Sequence, residues 1–291
     1  MTASAPLLRI GTRRSALALA QTRAFRADAA RALGLAGPAI EARLPLVEMV
    51  TSGDRHAGVP LADIGGKGLF TRELDEALLS GRIDAAVHSL KDIPGDLPSG
   101  IVIAAVLKRE DPRDVLVSPL ADRLLALPRG ARVGTSAPRR RAQLLRLRPD
   151  LDIRLLRGNV DTRLKKLAEG EVDAAILAAA GLNRLGLHET ARCPIPPEEM
   201  LPAGGQGLVA ITCRADDEAA LAILAPLGDP EGQAAAACER AFIAALDGSC
   251  RTALAAHAET LGGRIAFRAA AYAADGTKAH FVTGAAPLAG A

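Results

Sequence analysis

The sequence predicts an α/β protein with two like-folded domains, and three observations carry that prediction. Arg9-Ile10-Gly11-Thr12 returns as Arg132-Val133-Gly134-Thr135. Gly81-Arg82-Ile83-Asp84-Ala85-Ala86-Val87 returns as Gly170-Glu171-Val172-Asp173-Ala174-Ala175-Ile176. Within each half the chain reads strand, helix, strand, helix, strand in the same order. Paired α/β domains place a ligand in the cleft between them. Open α/β sheets bind ligands beyond the carboxyl ends of their strands.

In the first half, Leu7 to Ile10 suits a short strand, and Ser15 to Leu33 suits a helix ended by Gly34. Arg13, Arg14 and Ser15 then lie at a strand-to-helix turn. The N–H groups and dipole of a helix start favour anions there, and Ser15 also suits a plain cap. Leu44 to Val50 reads as a second strand, followed by Ser52-Gly53-Asp54. Asp63 to Phe70 has the look of a phosphate loop. Leu61 and Gly68 stand where a P-loop needs Gly and Ser/Thr, so it reads instead as a glycine-rich cover carrying Lys67. Thr71 to Ser80 is a helix with Leu74, Ala77 and Leu78 on one face. Ile83 to Val87 is short and apolar, a buried strand. Lys91-Asp92 sits just past its end, and Pro94 blocks a regular continuation.

The second half is richer in arginine. Ten arginines and six acids fall between Arg132 and Arg184. Leu155-Leu156-Arg157-Gly158-Asn159 lies where Val50 to Asp54 lay in the first half. Arg139 and Arg140 follow the first strand of this half, Arg157 ends the next, Arg163 begins the following helix and Arg184 follows the third strand. All five fall at one sheet edge. The guanidinium fork suits carboxylate or phosphate, which implies a small polyanionic ligand. Leu201 to Gly207 reads as a hinge, and Leu208 to Thr212 as a strand with Cys213 buried after it. Glu218 to Leu224 and Gly232 to Leu246 read as helices. Cys250 falls in a small-residue loop, where a thiol serves as nucleophile or attachment point. Arg264 to Thr283 suggests two strands around Asp275-Gly276.

Composition narrows the function. The chain's 291 residues suffice for two or three domains. Aromatics are 2% and the formal charge is +3, which argues against stacking platforms for single strands and against a nucleic-acid partner. The cysteines, Cys193, Cys213, Cys238 and Cys250, form no C-x-x-C pair, so no metal site is expected. Met1 to Arg14 has no apolar run of signal-peptide length, and no stretch approaches a membrane span. The expectation is a soluble, cytoplasmic protein.

Several of these stretches, taken in order, resemble the porphobilinogen deaminase family, also called hydroxymethylbilane synthases. They are Arg9 to Ser15, Gly65-Gly66-Lys67-Gly68-Leu69-Phe70, Val87-His88-Ser89-Leu90-Lys91-Asp92, Arg109-Glu110-Asp111-Pro112-Arg113-Asp114, Val133 to Ser136, Leu156 to Val160, Ala180 to Leu187, Leu201 to Gly207 and the loop ending at Cys250. The resemblance implies three domains. Residues 1–107 plus 207–225 and residues 108–206 would be two periplasmic-binding-protein-type (type II) α/β domains flanking a cleft. Residues 226–291 would form a smaller α+β domain. It implies a monomer that joins four porphobilinogen molecules head to tail with loss of ammonia, then releases linear hydroxymethylbilane with water. It implies a dipyrromethane cofactor held by a thioether to Cys250 and contacted by Ser89, Lys91, Thr135, Ser136, Arg139 and Arg140. Arg13, Ser15, Lys67, Arg157, Arg163, Arg184 and Gln206 would bind substrate, and Asp92 would be the catalytic group.

Two features depart from the family pattern. Ala137-Pro138 replaces a Ser-Leu pair, which removes one hydroxyl contact to the cofactor and pre-sets a helix start. Family members continue past Ala291 into a last helix, so the third domain is truncated there if the sequence is a fragment. A non-enzymatic anion receptor would also explain the arginines and the hinge. It gives no role to Asp92 or Cys250.

Overall fold

The computed structural model describes residues 5–55, 68–246 and 252–288. In chain order the elements begin with β1 (Ile10–Arg13), α1 (Ala16–Ala32), α2 (Pro38–Arg43), β2 (Leu46–Met49), α3 (Ser52–Arg55), α4 (Arg72–Leu79), β3 (Ala85–Ser89) and β4 (Ile101–Val106). Next come β5 (Asp114–Val117), β6 (Arg132–Thr135), α5 (Pro138–Leu147), β7 (Asp152–Leu155), α6 (Val160–Ala168), β8 (Ala174–Ala178) and α7 (Ala179–Arg184). The chain closes with β9 (Val209–Arg214), α8 (Glu218–Leu224), α9 (Pro230–Ala245), β10 (Leu254–Leu261), β11 (Arg264–Tyr272) and β12 (Ala279–Pro287).

Two compact units divide the described residues. The first holds 5–55, 68–109 and 208–233; the second holds 110–207, 234–246 and 252–288. The first unit carries a five-stranded sheet in the order β2-β1-β3-β9-β4. Strand β1 is parallel to β2 and β3, while β9 is antiparallel to β3 and β4. The sheet's core is aliphatic apart from Phe25 and Cys213: Leu8, Ile10, Val87 and Ile211 bury against Phe25, Ala29 and Leu224. On the other face Leu74, Ala77 and Leu78 of α4 pack on Ile83 and Ala86. The 3.6-residue spacing of the apolar positions in α4 dictates that burial.

The second unit repeats this plan with β7-β6-β8-β5, where β6 is parallel to β7 and β8 and β5 is antiparallel to β8. The likeness extends to single bonds. The Arg9 N–H and guanidinium donate to Asp84 at 2.8, 2.8 and 2.6 Å, and those of Arg132 donate to Asp173 at 2.8, 3.1 and 2.6 Å. The two glycines of the repeated tetrapeptide also share a reason. A Cβ on Gly11 would overlap the Ile83 side chain, and one on Gly134 would come within 2.6 Å of Leu156 Cδ2. Two like-folded α/β units of this kind agree with the fold class expected from the sequence.

The second unit also holds the antiparallel sheet β10-β11-β12. Gly262 and Gly263, at φ +58° and +72°, make the two-residue turn from β10 to β11. Phe242 of α9 meets Phe267 of β11 edge to face, with ring centroids 5.8 Å apart. Boundaries differ from the sequence expectation at β1, which starts at Ile10 rather than Leu7. The N–H groups of Leu7 and Leu8 bond the Arg43 carbonyl instead of a strand partner, and ladder pairing begins at Ile10 with Leu46. No helix among the described residues is long and apolar enough to cross a membrane.

Candidate active site

In the first unit, the site grows from the carboxyl ends of β1 and β3. β3 ends at Ser89, whose hydroxyl accepts from Gln21 Nε2 at 2.9 Å. A 3-10 turn over Leu90–Asp92 follows. The Leu90 N–H donates to Leu208 O at 3.0 Å and the Ile93 N–H to Leu90 O at 3.1 Å. Asp92 and Lys91 are thus carried on a short turn bonded at both ends. β1 delivers Arg13 to the same edge. Its Nη1 stands 3.8 Å from Asp92 Oδ2, with the two side chains 19% and 31% exposed. Ser15 caps α1, its hydroxyl accepting from the Ala18 N–H at 3.3 Å. Its expected substrate role therefore sits beside a plain capping role.

Just inside the sheet lies His88, fully buried, with Nε2 3.1 Å from Thr212 Oγ1. Burial, and then the Arg13 charge, push its imidazole down to about 4. His88 is therefore neutral beneath the Arg13–Asp92 pair.

In the second unit, β6, β7 and β8 bring their carboxyl ends to one edge. Thr135 ends β6 and accepts the Ala137 N–H at 3.2 Å. Ser136 Oγ accepts from Arg163 Nη2 at 3.4 Å, and Arg163 Nε donates to Gly158 O at 2.9 Å. Asn159 caps α6 by accepting the Thr162 N–H at 2.8 Å, which sets Arg163 on the first turn. Arg184 ends α7, and its Nη2 donates to Gly207 O at 2.8 Å. Burial pushes the guanidinium groups of Arg157 and Arg184 below their ordinary value; the Glu110 charge opposes this at Arg184. A partly desolvated cation gains by pairing with an anion, so these residues fit a carboxylate-rich ligand.

Arg139 and Arg140 are turned inward. Both are under 10% exposed, and both salt-bridge the fully buried Asp114 at 2.7 Å. Arg139 also donates to Leu201 O at 2.6 Å and Arg140 to Ile176 O at 2.9 Å. Gln206 is buried too, donating to Asp114 Oδ1 at 2.9 Å and to Pro112 O at 2.7 Å. Burial alone would raise the Asp114 carboxyl. The two guanidinium charges and the bonds from Arg140 and Gln206 outweigh it and hold the group well below the usual carboxylate range.

The structure therefore brings together Arg13 and Asp92 at one edge, Ser136 and Arg163 at another, and Arg139, Arg140 and Gln206 around Asp114. Lys67 and Cys250 lie outside the described residues. Two acids escaped the sequence reading. Asp114 closes the Arg109-to-Asp114 motif, and its place beside an apolar strand was its only signal. Asp54 follows Ser52-Gly53 in α3, the short helix after β2, where Asn159 follows Arg157-Gly158 in the other half.

The family model described as porphobilinogen deaminase, dipyromethane cofactor binding domain, matches residues 8–222. The model of the porphobilinogen deaminase C-terminal domain matches residues 233–287. The porphobilinogen deaminase of Nitrobacter winogradskyi is 50% identical over 277 residues, which cover 95% of this chain and 86% of that protein. The Caulobacter vibrioides porphobilinogen deaminase is 51% identical over 277 residues, covering 94% of this chain and 86% of its own length. Among solved structures, a nutrient binding protein from Burkholderia cenocepacia bound to methionine shows 17% identity and a TM-score of 0.45, covering 75% of this chain and 89% of that chain.

Proposed function

The chain belongs to the porphobilinogen deaminase family, and on that premise we propose how its residues divide the work. The protein is a transferase of tetrapyrrole biosynthesis. It condenses four porphobilinogen molecules head to tail with loss of ammonia and releases linear hydroxymethylbilane by hydrolysis. Each pyrrole brings an acetate and a propionate, so the product chain is a polyanion.

The observation that carries the residue assignment is the carboxylate of Asp92, held on a bonded turn with a guanidinium 3.8 Å away. Asp92 accepts hydrogen bonds from pyrrole N–H groups and stabilises the positive charge that develops as ammonia leaves. It also holds or moves a proton there. Arg13, Arg157, Arg163 and Arg184 bind the acetate and propionate groups, with Ser15 and Lys67 as further substrate contacts; Gln206, buried against Asp114, acts through that acid rather than on substrate. Ser89, Lys91, Thr135 and Ser136 contact the dipyrromethane cofactor. Arg139 and Arg140 are turned onto Asp114 and the Leu201 and Ile176 carbonyls, so their share in cofactor binding is to fix that framework. The cofactor supplies the α-position to which the first pyrrole is joined, and Cys250 anchors it through a thioether. The reading includes a cytoplasmic monomer with domains 1–107 plus 207–225, 108–206 and 226–291.

Intact mass tests the anchor. Protein expressed where porphobilinogen is available carries a covalent adduct of two pyrrole units, and Cys250→Ser abolishes it. An unmodified mass would remove the covalent assignment. Asp92→Asn keeps the adduct but loses turnover by about 10²–10³-fold, the scale of a lost transition-state electrostatic group. Substantial turnover in that variant would remove Asp92 from its role.

A further inference from the structure

Asp54 has no role in the division of work above, yet it is the strongest partner of Arg13. Arg13 Nη2 reaches Asp54 Oδ1 at 2.5 Å and Arg13 Nε reaches Oδ2 at 3.2 Å. The Thr51 hydroxyl and N–H donate to the same Oδ2 at 2.7 and 3.2 Å. Burial by itself would raise the Asp54 carboxyl, but the Arg13 bond and charge and the Thr51 bonds outweigh it and hold the group ionised. The flat face of the same guanidinium lies over the Phe70 ring, with Cζ 4.3 Å from the centroid. One edge and one face of Arg13 are therefore committed. Its remaining terminal nitrogen, Nη1, stands 3.8 Å from Asp92 Oδ2, close enough for Coulomb attraction and too far for a hydrogen bond.

We propose that Asp54 is a positioning residue: together with Phe70 it holds Arg13 at a distance that stabilises the Asp92 charge without occupying its oxygens. The proposal rests on the reading of Asp92 as the catalytic carboxylate. An unrestrained arginine beside a carboxylate closes into a bidentate pair, because that geometry satisfies both oxygens. Such a pair would use the lone pairs that Asp92 offers to pyrrole N–H groups, and would spread its charge over Arg13 instead of the reacting centre. Asp54 competes for the fork of Arg13 and wins it. The backbone favours this outcome: Asp54, in the short helix after β2, is held by Thr51, and Gly53 leaves room for Phe70, which a Cβ there would strike.

The test is steady-state kinetics on the full-length holoenzyme. Asp54→Asn is expected to lower kcat by about 10²-fold, the cost of roughly a 1 Å misplacement of a catalytic group, while the adduct mass stays native. Because Arg13 also binds substrate, KM is expected to rise no further than in Arg13→Gln; a direct substrate contact by Asp54 would raise it beyond that. The double variant Asp54→Asn with Arg13→Gln is expected to be no slower than Arg13→Gln alone, because Asp54 acts only through Arg13. A merely structural Asp54 would give losses that multiply. Unchanged kcat in Asp54→Asn, or multiplying losses in the double variant, overturns the proposal. Should Asp54→Asn not fold, Phe70→Leu carries the test: reduced kcat with the adduct retained and KM no higher than in Arg13→Gln supports the proposal, and unchanged kcat overturns it. Asp92→Asn is assayed alongside. Turnover there removes the reading of Asp92, whereas an inactive Asp92→Asn beside a fully active Asp54→Asn removes the positioning role only.

Discussion

Asp114 and His88 are both buried, and they meet that burial in opposite ways. Asp114 stays charged because Arg139 and Arg140 reach it at 2.7 Å on either oxygen. His88 faces a hydroxyl and a nearby cation, so it stays neutral. Removing the charge of Asp114 strands two buried guanidinium groups. Asp114→Asn is expected to cost about 3–5 kcal/mol in urea unfolding at pH 7, the range for breaking one partner out of a buried pair. A loss below about 1 kcal/mol would mean water reaches the site. The acid behaviour of the two residues differs by window. The unfolded His88 ring gains its proton below 6.5 and the folded ring only near 4, so stability falls as pH drops between those values. The cost is about 2 kcal/mol by pH 5 and roughly 3 when complete. Asp114 acts in the same direction in a lower window: its stabilisation is present above the unfolded carboxylate value near 4 and is lost as pH falls below it. Unfolding free energies at pH 7 and pH 5 should therefore differ less in His88→Gln than in the native protein.

At the scale of elements, the site depends on how strands hand over to helices. Gly158 shows the constraint most directly. Its φ is +112°, and a Cβ would come within 2.6 Å of Thr162 Cγ2 in the first turn of α6. The Gly158 carbonyl also accepts from Arg163 Nε at 2.9 Å. Gly158→Ala is expected to lose about 1–3 kcal/mol from strain and to raise KM, because the same carbonyl orients a substrate-binding arginine. Native KM in a destabilised variant would separate Arg163 from the binding set. Elements that the sequence hid share a physical cause. β5 opens on the charged Asp114, which reads as a loop until its arginine partners are seen. β10 is Ala-rich with His257 and Glu259, a composition that suits a helix as well as a strand. β10 pairs with β11 over eight residue pairs, and that long-range ladder decides the matter. By contrast α8 runs over Glu218–Leu224 as its spacing predicts, since local periodicity and the Asp217 cap both mark it.

Over the whole molecule, the duplication appears in matched ion pairs. Arg9–Asp84 and Arg132–Asp173 occupy equivalent places, each with a 2.6 Å terminal contact, and share no partner. Arg9→Gln and Arg132→Gln are expected to shift the urea midpoint modestly, and their shifts should add in the double variant. A double variant well off the sum would reveal coupling between the two units. The repeat itself was legible in sequence because both halves reuse one strand motif and one Gly-x-x-Asp turn. Asp92 and the arginines at strand ends were legible too, because the end of a strand can be read from where an apolar run stops. Partner choice was not. Whether Arg13 closes on Asp92 or on Asp54 depends on distances between residues 41 and 79 positions apart, and no local pattern encodes them. The inward turn of Arg139 and Arg140 was equally hidden, because it depends on an acid some 25 residues away. The sequence by itself determined the fold class, the family and the residue types at the strand ends, all of which follow from local periodicity and short motifs. Tertiary structure alone decided which charges meet, because ion pairing is set by the close approach of elements distant in the chain.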